Sequence, residues 1–109
     1  MKQEDKELLL KDLCARLPYR VKVKSSRRRS LVTLSLDVMT DFHLGCSVKP
    51  YLRPLSSMTE EEWDDYHKVG EMPHNIIDWF NKRHFDYRHL IEKGLALEAP
   101  DGMYKVEEE

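Results

Sequence analysis

The chain of 109 residues has little of what most catalytic or cofactor sites are built from. Its four glycines stand apart, at positions 45, 70, 94 and 102, so no glycine-rich loop cradles a phosphate. No nucleophile elbow or paired-cysteine motif occurs. Only two cysteines are present, Cys14 and Cys46, too few for a disulfide framework or a four-cysteine zinc site. His43 and Cys46 have a ligand-like gap, but positions three apart on a strand face opposite ways and no second pair completes a site. His84 and His89 flank Asp86 and Arg88 across a break in the pattern, which suits surface or capping groups better than acid-base work. Long apolar runs are missing as well. Leu8-Leu9-Leu10 stops at Lys11, which fits neither a signal peptide nor a membrane span. The expectation is a non-enzymatic cytoplasmic protein with no cofactor, no metal, no catalytic residue and two reduced, buried thiols.

What is present is charge, unevenly placed. The formal net charge is only -2. From Lys11 to Leu55, however, ten Lys or Arg face three Asp or Glu, a net of +7, whereas from Ser56 to Glu109 six face fourteen, a net of -8. Separation of this kind bears on partners and association rates rather than on the fold. The length suits one domain with one core. Residues 74–100, which include Trp79, Phe80, Phe85 and Leu90, concentrate the largest apolar side chains and are expected to form that core.

Along the chain, Leu9, Leu13 and Leu17 recur every fourth residue, with Leu10 and Cys14 beside them. They predict a helix over 3–17 that buries this stripe, leaves Asp12 and Arg16 in water and stops at Pro18. From Arg20 the period becomes two. Val21 and Val23 alternate with Arg20, Lys22 and Lys24; Val32, Leu34, Leu36 and Val38 form a second series, and Phe42, Leu44, Cys46 and Val48 a third. A β-meander over 20–48 follows. Pro50 and Pro54 then exclude a central strand and predict an extended crossover. Thr59 and Glu62 make a capping box that opens a helix with Trp63, Tyr66 and Val69 on its buried face and Gly70 at its stop. Asn75 is placed to cap the next helix, and Asp86 a last one from Tyr87 to Lys93 closed by Gly94. Residues 59–94 thus read as a helical part, Leu95 to Ala99 as a final strand, Pro100-Asp101-Gly102 as a turn and 106–109 as an acidic tail. The predicted class is α+β: one domain over 1–109, with a small antiparallel sheet of three to four strands packed on three to four helices.

Arg27-Arg28-Arg29 sits between the first two predicted strands. Together with Arg20, Lys22, Lys24, Lys49 and Arg53 it forms the candidate site, a cationic sheet face and loop suited to a phosphate backbone or an acidic protein surface. Tyr19, Phe42 and Tyr51 are the only aromatic residues of this half, which disfavours base stacking along a single strand.

Three stretches resemble a group of small phage- and prophage-encoded proteins of gut anaerobes. They are Lys6-Glu7-Leu8-Leu9-Leu10-Lys11-Asp12-Leu13-Cys14-Ala15-Arg16-Leu17-Pro18-Tyr19, Lys49-Pro50-Tyr51-Leu52-Arg53-Pro54-Leu55 through Glu61, and Asp78-Trp79-Phe80-Asn81-Lys82 with His84-Phe85-Asp86-Tyr87-Arg88-His89-Leu90 through Ala96. Arg20 and His89 stand where such proteins usually carry glycine. The resemblance implies a mobile-element origin and assigns no activity. By analogy with that origin, the expectation is a stoichiometric inhibitor or adaptor of a host protein, such as an anti-CRISPR protein acting on a nucleoprotein defence complex. The alternative is a nucleic-acid-binding accessory protein that uses the basic hairpin.

Overall fold

The computed structural model describes residues 2–68, 73–100, 103 and 104. Among these residues four α-helices and four strands form an α+β fold in the order α1 (Gln3–Arg16), β1 (Lys22–Ser25), β2 (Val32–Thr33), α2 (Leu36–His43), β3 (Val48–Leu52), α3 (Glu60–Lys68), α4 (Pro73–Lys82) and β4 (Leu97–Glu98). The sheet order is β2-β1-β3-β4. β1 is antiparallel to both neighbours, but β4 runs parallel to β3, so the sheet is mixed rather than wholly antiparallel. No helix among the described residues is long and apolar enough to cross a membrane.

The core lies between one face of the sheet and the helices. Leu9 and Leu13 of α1 and Val38 of α2 meet Val21, Val23, Leu34, Val48 and Leu52, with Leu90, Leu95 and Ala96 from the C-terminal part. The 74–100 stretch therefore supplies only a share of the core. On α1 the buried stripe includes Asp12 and Arg16, expected in water, whereas Leu10 and Cys14 are exposed. Arg16 stays inside because its Nε donates to Asp12 Oδ2 (2.7 Å) and its Nη2 to the Phe85 carbonyl (2.6 Å). Cys46 is half-buried, and both cysteines are free thiols.

Only the first hairpin of the predicted meander exists. The even-numbered series Leu34, Leu36, Val38 is also a helical one, 34-38-42, and the helix prevails. Ser35 caps it, with its Oγ accepting from the Val38 amide (3.4 Å), and Leu36 turns out to solvent at 74% exposure. α2 and the turn through Gly45 (φ 94°) thus replace the end of the second predicted strand and most of the third.

β3 occupies the centre of the sheet despite Pro50, contrary to the crossover expected there. The Ser26 amide donates to the Ser47 carbonyl (2.8 Å), which fixes the parity. Residues 47, 49 and 51 aim their backbone groups at β1, so Pro50 directs its nitrogen the other way. On that side pairing with β4 begins only at Tyr51, and no ladder donor is missed.

The capping box at α3 forms in both directions, Glu62 N to Thr59 Oγ1 (3.1 Å) and Thr59 N to Glu62 Oε1 (3.0 Å). Glu62 is the buried residue of α3, Tyr66 is half-buried and Trp63 is 53% exposed; Val69 and Gly70 lie outside the described residues. α4 begins at Pro73, so Asn75 lies within its first turn rather than at its cap. Residues 87–93 form turns, not a helix, because His89 adopts φ 61° in their midst. The Asp86 carboxylate still caps these turns, accepting from the amides of Leu90 (2.8 Å) and Ile91 (3.0 Å). Gly94 takes the left-handed conformation expected of it (φ 76°). The last predicted strand is present as β4; the tail 106–109 lies outside the described residues.

Candidate functional site

The eight candidate cations separate into three groups. Arginines at the hairpin and at the end of β3 are bound to buried carboxylates. Asp41 of α2 accepts from Arg28 Nε (2.8 Å), Ser25 Oγ (3.0 Å) and, at longer range, Arg27 Nη1 (3.4 Å). The Arg28 hydrogen bond, against the opposing effect of burial and with help from Ser25, holds the Asp41 carboxyl below its ordinary range. This clamp ties the hairpin to α2 and pairs Arg28 closely, while Arg27, 57% exposed, keeps its charge largely in solvent.

Arg53 donates to both oxygens of Glu62 (2.6 and 2.7 Å) and lies over the Phe85 ring at 4.3 Å. Burial alone would raise Glu62, but the Arg53 bonds, the Thr59 amide and the Arg83 charge reverse that and keep it below its usual value. Arg53 is thus part of the scaffold that seats α3, and its planar fork suits this bidentate duty.

The lysines are different. Lys24 of β1 stands directly opposite Lys49 of β3. Period-two alternation puts Val21, Val23, Val48 and Leu52 against the helices, so Lys22, Lys24, Lys49 and Tyr51 share the other face. Lys22 Nζ donates to Thr33 Oγ1 (2.8 Å) on β2. Among the described residues, neither Lys24 nor Lys49 is in an ion pair, and two like charges placed opposite each other on a sheet destabilise it. Arg29 is exposed in the hairpin, and Arg20 is exposed with a left-handed backbone (φ 58°) just before β1. The structure therefore joins Lys22, Lys24 and Lys49 on one face, leaves Arg20, Arg29 and most of Arg27 open to solvent, and draws Arg28 and Arg53 into pairs with buried carboxylates.

At one end of this face a tyrosine hydroxyl replaces a ladder bond. The Lys22 amide donates to Tyr104 Oη (2.7 Å), which donates in turn to the Tyr51 carbonyl (2.8 Å). The Tyr104 ring stacks on His84 at 3.9 Å. Burial, with the charges of Arg16, Arg53 and Lys22, lowers the His84 pKa to about 4, so the ring is neutral at pH 7. Burial also raises the Tyr104 hydroxyl well above its ordinary value. His84 Nδ1 and Arg16 Nη1 are buried without a hydrogen-bond partner. Exposed His89 sits 3.2 Å from Glu92. No cluster of three or more His, Cys, Asp or Glu that could hold a metal occurs among the described residues.

Asp41 is the residue that sequence reasoning missed at the site, and Glu62, legible as a helix cap, was missed as the partner of Arg53. Arg28 and Asp41 are thirteen residues apart and Arg53 and Glu62 nine, on different elements, so local pattern carries no signal for either pairing. Tyr51 was visible in principle, because Val48-Lys49-Pro50-Tyr51-Leu52 alternates once Pro50 is allowed within a strand. No protein-family model matches this chain, and neither a curated protein nor a solved structure is significantly similar to it.

Proposed function

We propose that this chain is a non-enzymatic binding protein of phage or mobile-element origin that acts as a stoichiometric inhibitor or adaptor, docking the lysine face of its sheet on an acidic surface of a host protein. The observation that carries the reading is the Lys24–Lys49 pair. Arg16, Arg28, Arg53, Arg83 and Arg88 all have carboxylate partners within the fold, whereas these two lysines face each other without one among the described residues. An arrangement that costs stability in the free chain is relieved when an anionic partner supplies the missing charge.

Tyr51 on the same face favours a second reading, nucleic-acid binding, since a ring beside lysines offers a stacking platform. Affinity capture from host lysate, with and without nuclease, separates the two when the native chain is compared with the variant Lys24→Glu, Lys49→Glu. A nuclease-resistant protein lost in the variant supports the inhibitor or adaptor reading. Capture of nucleic acid alone, or retention of the protein by the variant, overturns it.

A further inference from the structure

We infer that the cleft beside the first turns of α3 is a docking site for an arginine side chain of a basic protein partner, built from the Trp63 ring and the Glu60 and Asp64 carboxylates. Met58, Thr59, Glu60, Trp63 and Asp64 line this cleft, about 490 Å³ in volume. The other side of α3 is committed to the fold, with Glu62 held by Arg53 and Tyr66 stacked on Phe80 of α4 at 5.7 Å. Trp63 is 53% exposed. Its ring is nevertheless fixed, by Tyr66 at 5.7 Å and by His67 edge-on at 4.8 Å. An exposed indole already held in place offers a flat contact surface at little cost in ordering.

Charge of one sign identifies the occupant. Among the described residues no cation lines the cleft, and neither Glu60 nor Asp64 is in an ion pair. Both are exposed and stand one helical turn apart. Glu60 is favoured there by the positive end of the helix dipole, but Asp64 lies beyond the first turn, where a like charge four residues away weakens the helix. A cation between the two removes that repulsion. Residues 56–109, with a net charge of -8, draw cations towards this half of the chain. Nucleic acid and acidic surfaces are repelled, and an apolar partner would strip water from two carboxylates without replacing it. Of the cationic side chains, a guanidinium fits best, because its plane stacks on an aromatic ring while its edge donates to a carboxylate. Arg53 does both inside the fold, over Phe85 at 4.3 Å and on Glu62. The inference stands independently of the lysine face and gives the chain a second docking surface of opposite sign.

Titrating the full chain with a capped peptide of alternating arginine and glycine, followed by the indole N–H signals of the nitrogen-15-labelled protein, tests it. The Trp63 signal, assigned with Trp63→Phe, should shift and saturate while that of Trp79 stays in place. The matching lysine peptide should bind several-fold more weakly, and the glutamate peptide not at all. Followed by calorimetry, Trp63→Ala should weaken the arginine peptide about fivefold and Asp64→Asn about threefold. Glu61→Gln removes the same charge from the same helix outside the cleft and should change the affinity little. An unmoved Trp63 signal, equal affinity for the arginine and lysine peptides, or equal losses from Asp64→Asn and Glu61→Gln overturns the inference. So does self-association of the chain that Trp63→Phe abolishes, which would assign the cleft to the chain's own exposed arginines.

Discussion

Replacing Lys49 by Glu should make the protein more stable while destroying its binding. Lys24 and Lys49 occupy facing positions on β1 and β3. Facing Cα atoms in a hydrogen-bonded antiparallel pair are about 5.5 Å apart, and in water two unit charges at roughly 6 Å repel by about 0.7 kcal/mol. Lys49→Glu converts that repulsion into an attraction of similar size. After screening and side-chain freedom the net gain is about 1 kcal/mol, the upper part of the range for cross-strand pairs. For a domain of this size that raises the midpoint of thermal unfolding by about 4 °C. Thermal denaturation of the native chain, Lys49→Ala and Lys49→Glu at low and high salt should show a graded increase that shrinks as salt rises. Capture of the partner by the same proteins should fall in the same order. A Lys49→Glu variant that is less stable than the native chain at low salt, or one that still captures the partner, would refute the idea that these lysines are held apart from internal carboxylates for an external anion.

Three further outcomes follow from the interior. Tyr104→Phe removes the hydroxyl that joins the Lys22 amide to the Tyr51 carbonyl, leaving both without that partner; urea unfolding should report a loss of about 2 kcal/mol, and a loss near zero would mean that the strands close on each other directly. Asp12→Asn leaves the fully buried Arg16 and the Arg88 guanidinium without their shared carboxylate, so a loss of about 3–5 kcal/mol, or failure to fold, is expected by the same measurement. His84 gives a pH dependence whose sign is set by its lowered pKa: the unfolded chain takes up the proton near pH 6.5, the folded one only near pH 4. Its contribution is therefore complete above about pH 6.5 and is lost progressively as pH falls towards 4, by at most about 3 kcal/mol. His84→Asn, compatible with the local φ of 65°, should flatten the urea midpoint over that window, and an unchanged slope would assign the effect elsewhere.

The sequence made the helical parts most legible where the signals were local. α1 ended within one residue of its expected boundary, and the reciprocal Thr59–Glu62 cap and the left-handed Gly94 required only near neighbours. Arg20 and His89 stood out as departures from glycine, and both carry positive φ, the backbone that glycine adopts without strain. The middle of the chain was misread because two periods coincide. Leu34 and Val38 are two steps apart on an alternating pattern and one turn apart on a helix, and only Ser35 distinguishes them. Pro50 concealed β3, since its tolerance depends on where β4 begins, nearly fifty residues later. At the site, the cations were visible but their fates were not. Asp41 lies thirteen residues from Arg28, and Phe85 sixty-nine from Arg16, distances over which composition carries no pairing information.

The Tyr104 bridge also has a consequence for biosynthesis. β1, β2 and β3 are complete by Leu52, yet the polar groups at the end of the β1–β3 seam are joined by a residue 82 positions beyond Lys22. A ribosome-bound chain can assemble the hairpin and lay β3 beside it, but the seam stays unzipped there until the segment carrying Tyr104 has left the exit tunnel. Completion of the sheet is therefore tied to the emergence of Tyr104, and nascent chains stalled before that point would present an open, wettable sheet end to chaperones and proteases.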